Sequence, residues 1–98
     1  MKTVGFIFRT SENKNELLLS ELGSPEKLGE ALRKKFETVN LDTIDLDSYE
    51  SGEYRKRVNV HEDIKTRFFD YYDGNRKKVG KACSIIFNQL LIEVVSKK

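Results

Sequence analysis

The residues best suited to a chemical task are basic and lie in one part of the chain. Residues 54–81 carry nine Lys and Arg side chains against four acids, whereas residues 37–53 carry six acids and no Lys or Arg. Clustered guanidinium and ammonium groups bind phosphate and carboxylate groups. The sequence therefore predicts an anion-binding face. Its predicted members are Arg55, Lys56, Arg57, Arg76, Lys77, Lys78 and Lys81.

Three of these cations occupy an unfavourable place if a helix begins after Asn75. Asn75 is a suitable N-cap, and it would put Arg76, Lys77 and Lys78 in the first turn, where the helix dipole is positive. Each exposed cation there costs about 0.3–1 kcal/mol, which a bound anion would offset. Two alternatives stay open. Either the helix begins near Val79 and the cations lie in a loop, or the acidic and basic segments are two solvated surfaces that can pair with each other.

An aromatic cluster, FFDYY, lies between the two groups of basic residues. Helical spacing places Phe68 and Tyr71 on a core-facing stripe, with Phe69 and Tyr72 at its shoulder. The rings of Phe69 and Tyr72, at the edge of this stripe, either cover the helices, contact a partner or stack on bases.

Residues 85–95 are apolar on nearly every side of a helix. Such a helix is normally buried all round, and a 98-residue domain has little material to surround it. We therefore predict a homo-oligomer, with the alternative that LLIEVV is a buried strand. The predicted interface comprises Phe69, Tyr72, Ile85, Leu91, Ile92 and Val95.

No catalytic, metal or cofactor site is predicted. The consecutive residues His61, Glu62 and Asp63 cannot all face one metal ion on a helix. The acids of residues 42–47 lack the glycine and distal glutamate of a calcium loop. Cys83 falls on a core-facing stripe and is predicted to be an inert thiol.

One family resemblance concerns the first half of the chain. The segment RTSENKN places Thr10, Ser11, Asn13 and Asn15 where a flavodoxin-like fold holds a phosphate. The following helix and LDTIDLD are similar in order to the first βαβ unit of flavin reductases, although the glycine usual in such loops is missing. The resemblance implies a flavodoxin-like flavin or phosphate binder.

The first half of the chain predicts a strand and two helices. Apolar residues alternate over residues 4–8, which is typical of a strand. Ser11 is a candidate N-cap for a short helix that ends at Gly23. Ser24 begins an amphipathic helix over residues 25–37, with proline at its first position.

The second half predicts a strand and two further helices. Alternation over residues 39–46 favours a second strand, and residues 47–58 favour a loop. Asn59 is predicted to cap a third helix that stops at Gly74, and Asn75 to cap the last.

This order predicts one domain, residues 1–98, of α+β class or a small α/β fold. The elements follow as β-α-α-β-α-α, with helices covering a two- or three-stranded sheet and a strongly apolar last helix or strand. A right-handed βαβ unit is expected to open the chain.

Composition indicates a cytoplasmic globular protein. Net charge is only +2 and the hydrophobic fraction is 38%, unlike a disordered chain. Neither a signal peptide nor a membrane-spanning apolar run is recognisable, and one cysteine forms no internal disulfide.

We therefore predict a small non-enzymatic binding protein whose basic face holds nucleic acid, a nucleotide or an acidic protein surface. One alternative is an inhibitor or adaptor of the phage accessory type, which acts through the acidic residues 42–53 and the aromatic shoulder. The other is the flavodoxin-like binder.

Overall fold

Two strands and four α-helices make up the part of the chain that the computed structural model describes, residues 2–50 and 52–96. The predicted α+β class and the order β-α-α-β-α-α are confirmed. The elements are β1 (Thr3–Thr10), α1 (Glu12–Leu22), α2 (Pro25–Thr38), β2 (Tyr54–His61), α3 (Glu62–Tyr71) and α4 (Arg76–Ser96). Two short 3-10 turns, Leu41–Thr43 and Leu46–Ser48, connect α2 to β2.

β1 and β2 pair in antiparallel fashion along their whole length. The register runs from Thr3 opposite His61 to Thr10 opposite Tyr54. The predicted βαβ unit is therefore wrong, because such a unit requires parallel strands. Every second residue faces the helices and is mostly buried, while the alternate residues form an outer face exposed to solvent.

The strand predicted at residues 39–46 is wrong, because two consecutive 3-10 turns replace it. The N–H of Asp42 donates to Asn40 Oδ1, and the N–H of Asp47 donates to Asp45 Oδ1, each over 3.0 Å. Asn and Asp side chains that bond the backbone two residues ahead stabilise turns in competition with strands. The alternation of apolar residues over residues 39–46 therefore reflects two successive 3-10 turns and not a strand.

β2 lies mostly in residues 47–58, the segment predicted as a loop. The predicted extent of that loop is therefore wrong, and so is the predicted helix cap at Asn59. The third helix begins at Glu62, and Nδ1 of its N-cap His61 accepts a hydrogen bond from Asp63 N–H over 3.3 Å. The predicted stop at Gly74 is confirmed. Its φ is 75° and its N–H donates to the carbonyl of Phe69 over 2.7 Å.

The first two helices follow their predicted caps. Ser11 Oγ accepts from Lys14 N–H over 3.0 Å, and Ser24 Oγ accepts from Lys27 N–H over 3.2 Å. Gly23 ends α1 at φ 96°, a left-handed conformation that glycine adopts without strain.

Aromatic rings join the sheet to the helices. Phe6 of β1 contacts Phe36 of α2 and Phe68 of α3, with ring centroids 5.4 and 5.1 Å apart. Phe8 contacts Phe87 of α4, with centroids 5.7 Å apart. The inner face of β1 is thereby held against three helices, and its alternate residues are directed outward.

α4 is helical throughout, so the strand alternative for LLIEVV is wrong. It packs against β1, α1, α2 and α3. The buried residues of α4 are Val79, Ala82, Cys83, Ser84, Ile85, Ile86, Phe87, Leu90 and Leu91. By length and composition α4 could cross a membrane, although half of its apolar window is buried inside the protein, as in a core helix.

Candidate anion-binding groove

A solvent-open hollow of about 470 Å³ lies between β1 and the first turns of α4. We call this hollow the basic groove. Its lining comprises Ile7, Phe8, Arg9, Tyr49, Arg55, Arg76, Lys77, Gly80 and Lys81. Five of these nine residues are basic and none is acidic. The basic groove therefore gathers cations from both strands and from one helix.

The sheet contributes two of these cations as a cross-strand pair. Arg9 and Arg55 are directly opposite in the register, and both are exposed on the outer face. Side chains opposite each other in an antiparallel sheet are close neighbours, and like charges there are destabilising. An anion placed between the two guanidinium groups would convert this repulsion into attraction.

The first turn of α4 contributes two further cations. Asn75 caps the helix, since its Oδ1 accepts from Lys78 N–H over 3.2 Å and its carbonyl accepts from Val79 N–H over 3.1 Å. The alternative start near Val79 is therefore wrong. Within the described chain no hydrogen bond reaches the N–H groups of Arg76 and Lys77. Free N–H groups, the helix dipole and the cationic side chains all favour an anion at this point.

Acidic residues do not neutralise the basic groove. Across residues 2–50 and 52–96, no Asp or Glu oxygen lies within 4.0 Å of a groove cation. Among the described residues, Glu50 is the one acid of residues 42–53 that forms a salt bridge, and its partner is Lys14 of α1. The interpretation in which the acidic and basic segments pair with each other is therefore wrong for the five groove cations.

Three predicted anion-binding residues do not line the basic groove. Lys78 is outside the lining of the groove, although it follows Lys77 in the first turn of α4. Lys56 is opposite Phe8 on the inner face, where partial burial lowers the pKa of its ammonium group. Arg57 does lie on the outer face, but its side chain crosses Gly5, where an added Cβ would lie 2.6 Å from Nε.

A second hollow continues the basic groove toward α3. It shares Ile7, Arg76 and Gly80 with the basic groove and is also lined by Lys65 and Phe69. Lys65 Nζ donates to the carbonyl of Gly5 over 3.2 Å and lies 5.8 Å from the centroid of the Phe69 ring. Phe69, a predicted interface residue, is thus placed beside the groove.

Among the charged and polar residues of the groove, sequence reasoning missed two, Arg9 and Tyr49. The alternation of residues 4–8 predicts that Arg9 points outward from β1, but only the pairing of β1 with β2 places Arg9 opposite Arg55. Tyr49 ends the second 3-10 turn, and Lys81 Nζ lies 5.8 Å from its ring centroid. The sequence analysis considered the clustered aromatic residues of FFDYY and therefore overlooked Tyr49, which is isolated in the sequence.

Half of the predicted subunit interface is internal. Tyr72, Ile85 and Leu91 are each no more than 8% exposed within one chain, so they are removed from the interface. The expectation that a partner must cover α4 was wrong for these positions, because the chain's own elements cover them. Ile92 and Val95 remain at the surface, 58% and 43% exposed, and the homo-oligomer stays a prediction that depends on them.

The phosphate loop implied by the flavin reductase resemblance does not form. Ser11 serves as the N-cap of α1, and Thr10 and Asn15 are buried. The antiparallel sheet also contradicts the βαβ unit on which that resemblance depends.

The remaining reactive side chains have structural surroundings. Cys83 is 1% exposed, and burial raises the pKa of its thiol well above the ordinary range. His61 caps α3. The Arg67 guanidinium donates to three carbonyls at the end of α2, those of Phe36, Glu37 and Val39. In the described ranges no group of three His, Cys, Asp or Glu residues is placed to hold a metal ion.

No family model matches the chain, and no curated protein or solved structure matches it at a significant level.

Proposed function

We propose that the chain is a small non-enzymatic binding protein that holds an anionic partner in the basic groove. The observation that carries this proposal is the convergence of five cations, from β1, β2 and α4, around one open hollow whose described lining holds no acidic residue. Uncompensated charges of one sign in a concave site raise the local concentration of oppositely charged ligands.

Two features of the groove are unfavourable in the free protein. The Arg9–Arg55 pair opposes like charges across the sheet, and Arg76 and Lys77 lie at the positive end of the α4 dipole. Locally costly arrangements occur where function requires them. One anion lying between β1 and α4 would relieve both.

The side-chain chemistry of the groove suits binding better than catalysis. Arg and Lys side chains are hydrogen-bond donors without acceptor sites, so they hold phosphate or carboxylate oxygens. Tyr49 supplies the only hydroxyl among the groove residues. No pairing of a nucleophile with a base supports an enzymatic alternative at this site.

We place this binding protein in the cytoplasm. Cys83 is a buried free cysteine, which suits a reducing compartment, and half of the apolar window of α4 is buried inside the protein.

Retention on heparin, a generic polyanion, tests the proposal. The double variant Lys77→Gln/Lys81→Gln removes two groove charges, and we expect it to elute from heparin at clearly lower salt than the wild type. Lys34→Gln/Lys78→Gln is the matched control, since it removes the same charge from exposed positions outside the groove. Equal loss of retention in both variants would indicate binding by overall charge and would refute a groove site.

A further inference from the structure

The shape of the charged surface favours a chain-like ligand. The basic groove and the second hollow share Ile7, Arg76 and Gly80 and together follow β1 from Arg9 to Gly5. At about 3.3 Å per strand residue, this path is roughly 13 Å long. Sites for small molecules enclose most of the ligand surface, whereas this trough is open along its length.

The lining favours nucleic acid over a protein partner. The centre of a protein–protein interface is depleted of charge and enriched in apolar and aromatic anchors. Here the centre is cationic, and Ile7, 48% exposed, is the one large exposed aliphatic side chain of the basic groove. Protein–nucleic acid interfaces are more polar and far more positively charged than protein–protein interfaces.

An aromatic ring and a lysine occur together in each of the first two hollows. Tyr49 lies beside Lys81 in the basic groove, and Phe69 lies beside Lys65 in the second hollow, each with Nζ 5.8 Å from the ring centroid. Both rings are half-buried, so each keeps accessible surface. A polynucleotide repeats a flat base and a phosphate, and single-stranded binding sites combine stacking rings with cations in the same way.

The positively charged path ends beyond Gly5. A third hollow there shares Lys65 and Phe69 with the second hollow but is also lined by Glu62 and Asp70, and these acids repel a phosphate backbone. The first hollow, at about 470 Å³, lies within the size range of small-ligand pockets, so one base or sugar-phosphate unit can enter it. A duplex, whose bases are stacked and paired, cannot present one base to Tyr49 in this way.

We propose that the anionic partner is a single-stranded nucleic acid, whose phosphates lie against Arg9, Arg55, Arg76 and Lys77 and whose bases stack on Tyr49 and Phe69. This inference rests on the proposed function and names the ligand of the same groove.

Fluorescence anisotropy with a labelled oligothymidylate tests the proposal, with poly-glutamate and the matched duplex as unlabelled competitors. We expect oligothymidylate to bind more tightly than either competitor. We expect Tyr49→Ala to weaken oligothymidylate binding at least about fivefold, the lower end of the effect of losing one stacked base. Tyr49→Phe keeps the ring and should bind as the wild type does.

Heparin retention separates the failure of this inference from the failure of the proposed function. The wild type should be retained on heparin even where oligothymidylate fails to bind more tightly than its competitors, because heparin retention depends on charge and not on stacking. Should Tyr49→Ala unfold, Tyr49→Leu replaces it, since leucine fills much of the space without an aromatic face. If poly-glutamate competes as well as oligothymidylate and the Tyr49 variants bind normally, the nucleic-acid inference is wrong and an acidic protein is the better ligand. Tighter binding of the duplex also overturns the single-strand assignment. If the wild type binds neither oligothymidylate nor heparin, the proposed function itself is wrong.

Discussion

Ser84 Oγ donates a hydrogen bond to the main-chain carbonyl of Arg9 over 2.7 Å. The bond joins the middle of α4 to the edge of β1 that faces away from β2. Lys65 makes a similar bond to the carbonyl of Gly5 nearer the other end of the strand. The two bonds hold β1 against α3 and α4, and so set the distance between Arg9 and the first turns of α4 across the basic groove.

Replacement of Ser84 by alanine tests that attachment. Ser84→Ala removes the donor and leaves a partly buried carbonyl without its partner, so we expect the free energy of unfolding to fall by about 1–3 kcal/mol. Chemical denaturation measures the change. Ser20→Ala, at an exposed position of α1, is the control and should have little effect. Equal stability of Ser84→Ala and the wild type would show that the bond does not hold β1 in place.

The hydroxyl of Tyr71 donates to Asp42 Oδ1 over 2.6 Å, and this contact predicts a pH dependence. The hydrogen bond to Asp42 raises the pKa of Tyr71 above its ordinary value of 10.0, and burial raises the pKa of Tyr72. Because the folded-state pKa of Tyr71 is the higher one, its contribution to stability is fully present below pH 10 and is lost as the pH rises through the raised value.

Ultraviolet titration of the phenol groups measures this shift. Tyr71→Phe should remove one late-titrating tyrosine, and Asp42→Asn should move that tyrosine back toward its ordinary pKa while Tyr72 stays high. A titration curve unchanged by Asp42→Asn would contradict the contact.

Light scattering of two glutamate variants tests the predicted homo-oligomer. Leu91 is 8% exposed and Ile92 is 58% exposed, although they are adjacent in α4. Leu91→Glu buries a charge without a partner and should unfold the chain. Ile92→Glu should stay folded and convert a wild-type oligomer into a monomer. A wild type that is monomeric at micromolar concentration would refute the contact through Ile92 and Val95.

Local signals made the first half of the fold predictable. The caps at Ser11 and Ser24 and the left-handed Gly23 act within a few residues of their partners, so the sequence alone identifies them. The turns after α2 were misread although their cause is also local. Asn40 and Asp45 cap them, but the apolar residues between give the alternation of a strand.

β2 was not predictable in the same way, because its stability comes from pairing with a distant strand. Lys56 occupies an inward position that a strand pattern would fill with an apolar residue, which hides the alternation before Val58 and Val60. The membership of the groove depends on the same register. Arg55 was expected to bind an anion, but the pairing that places Arg9 opposite it cannot be read from composition or spacing.

The salt dependence of oligothymidylate binding by two neighbouring lysine variants tests the groove most directly. Lys77 lines the basic groove and Lys78 does not, yet both are exposed in the first turn of α4 and carry the same charge. Each phosphate contact on a single strand contributes about 0.7 to the slope of log affinity against log salt concentration. We predict that Lys77→Gln lowers the magnitude of that slope by about 0.7 and that Lys78→Gln leaves it at the wild-type value. Equal slopes for the two variants would contradict binding in the groove.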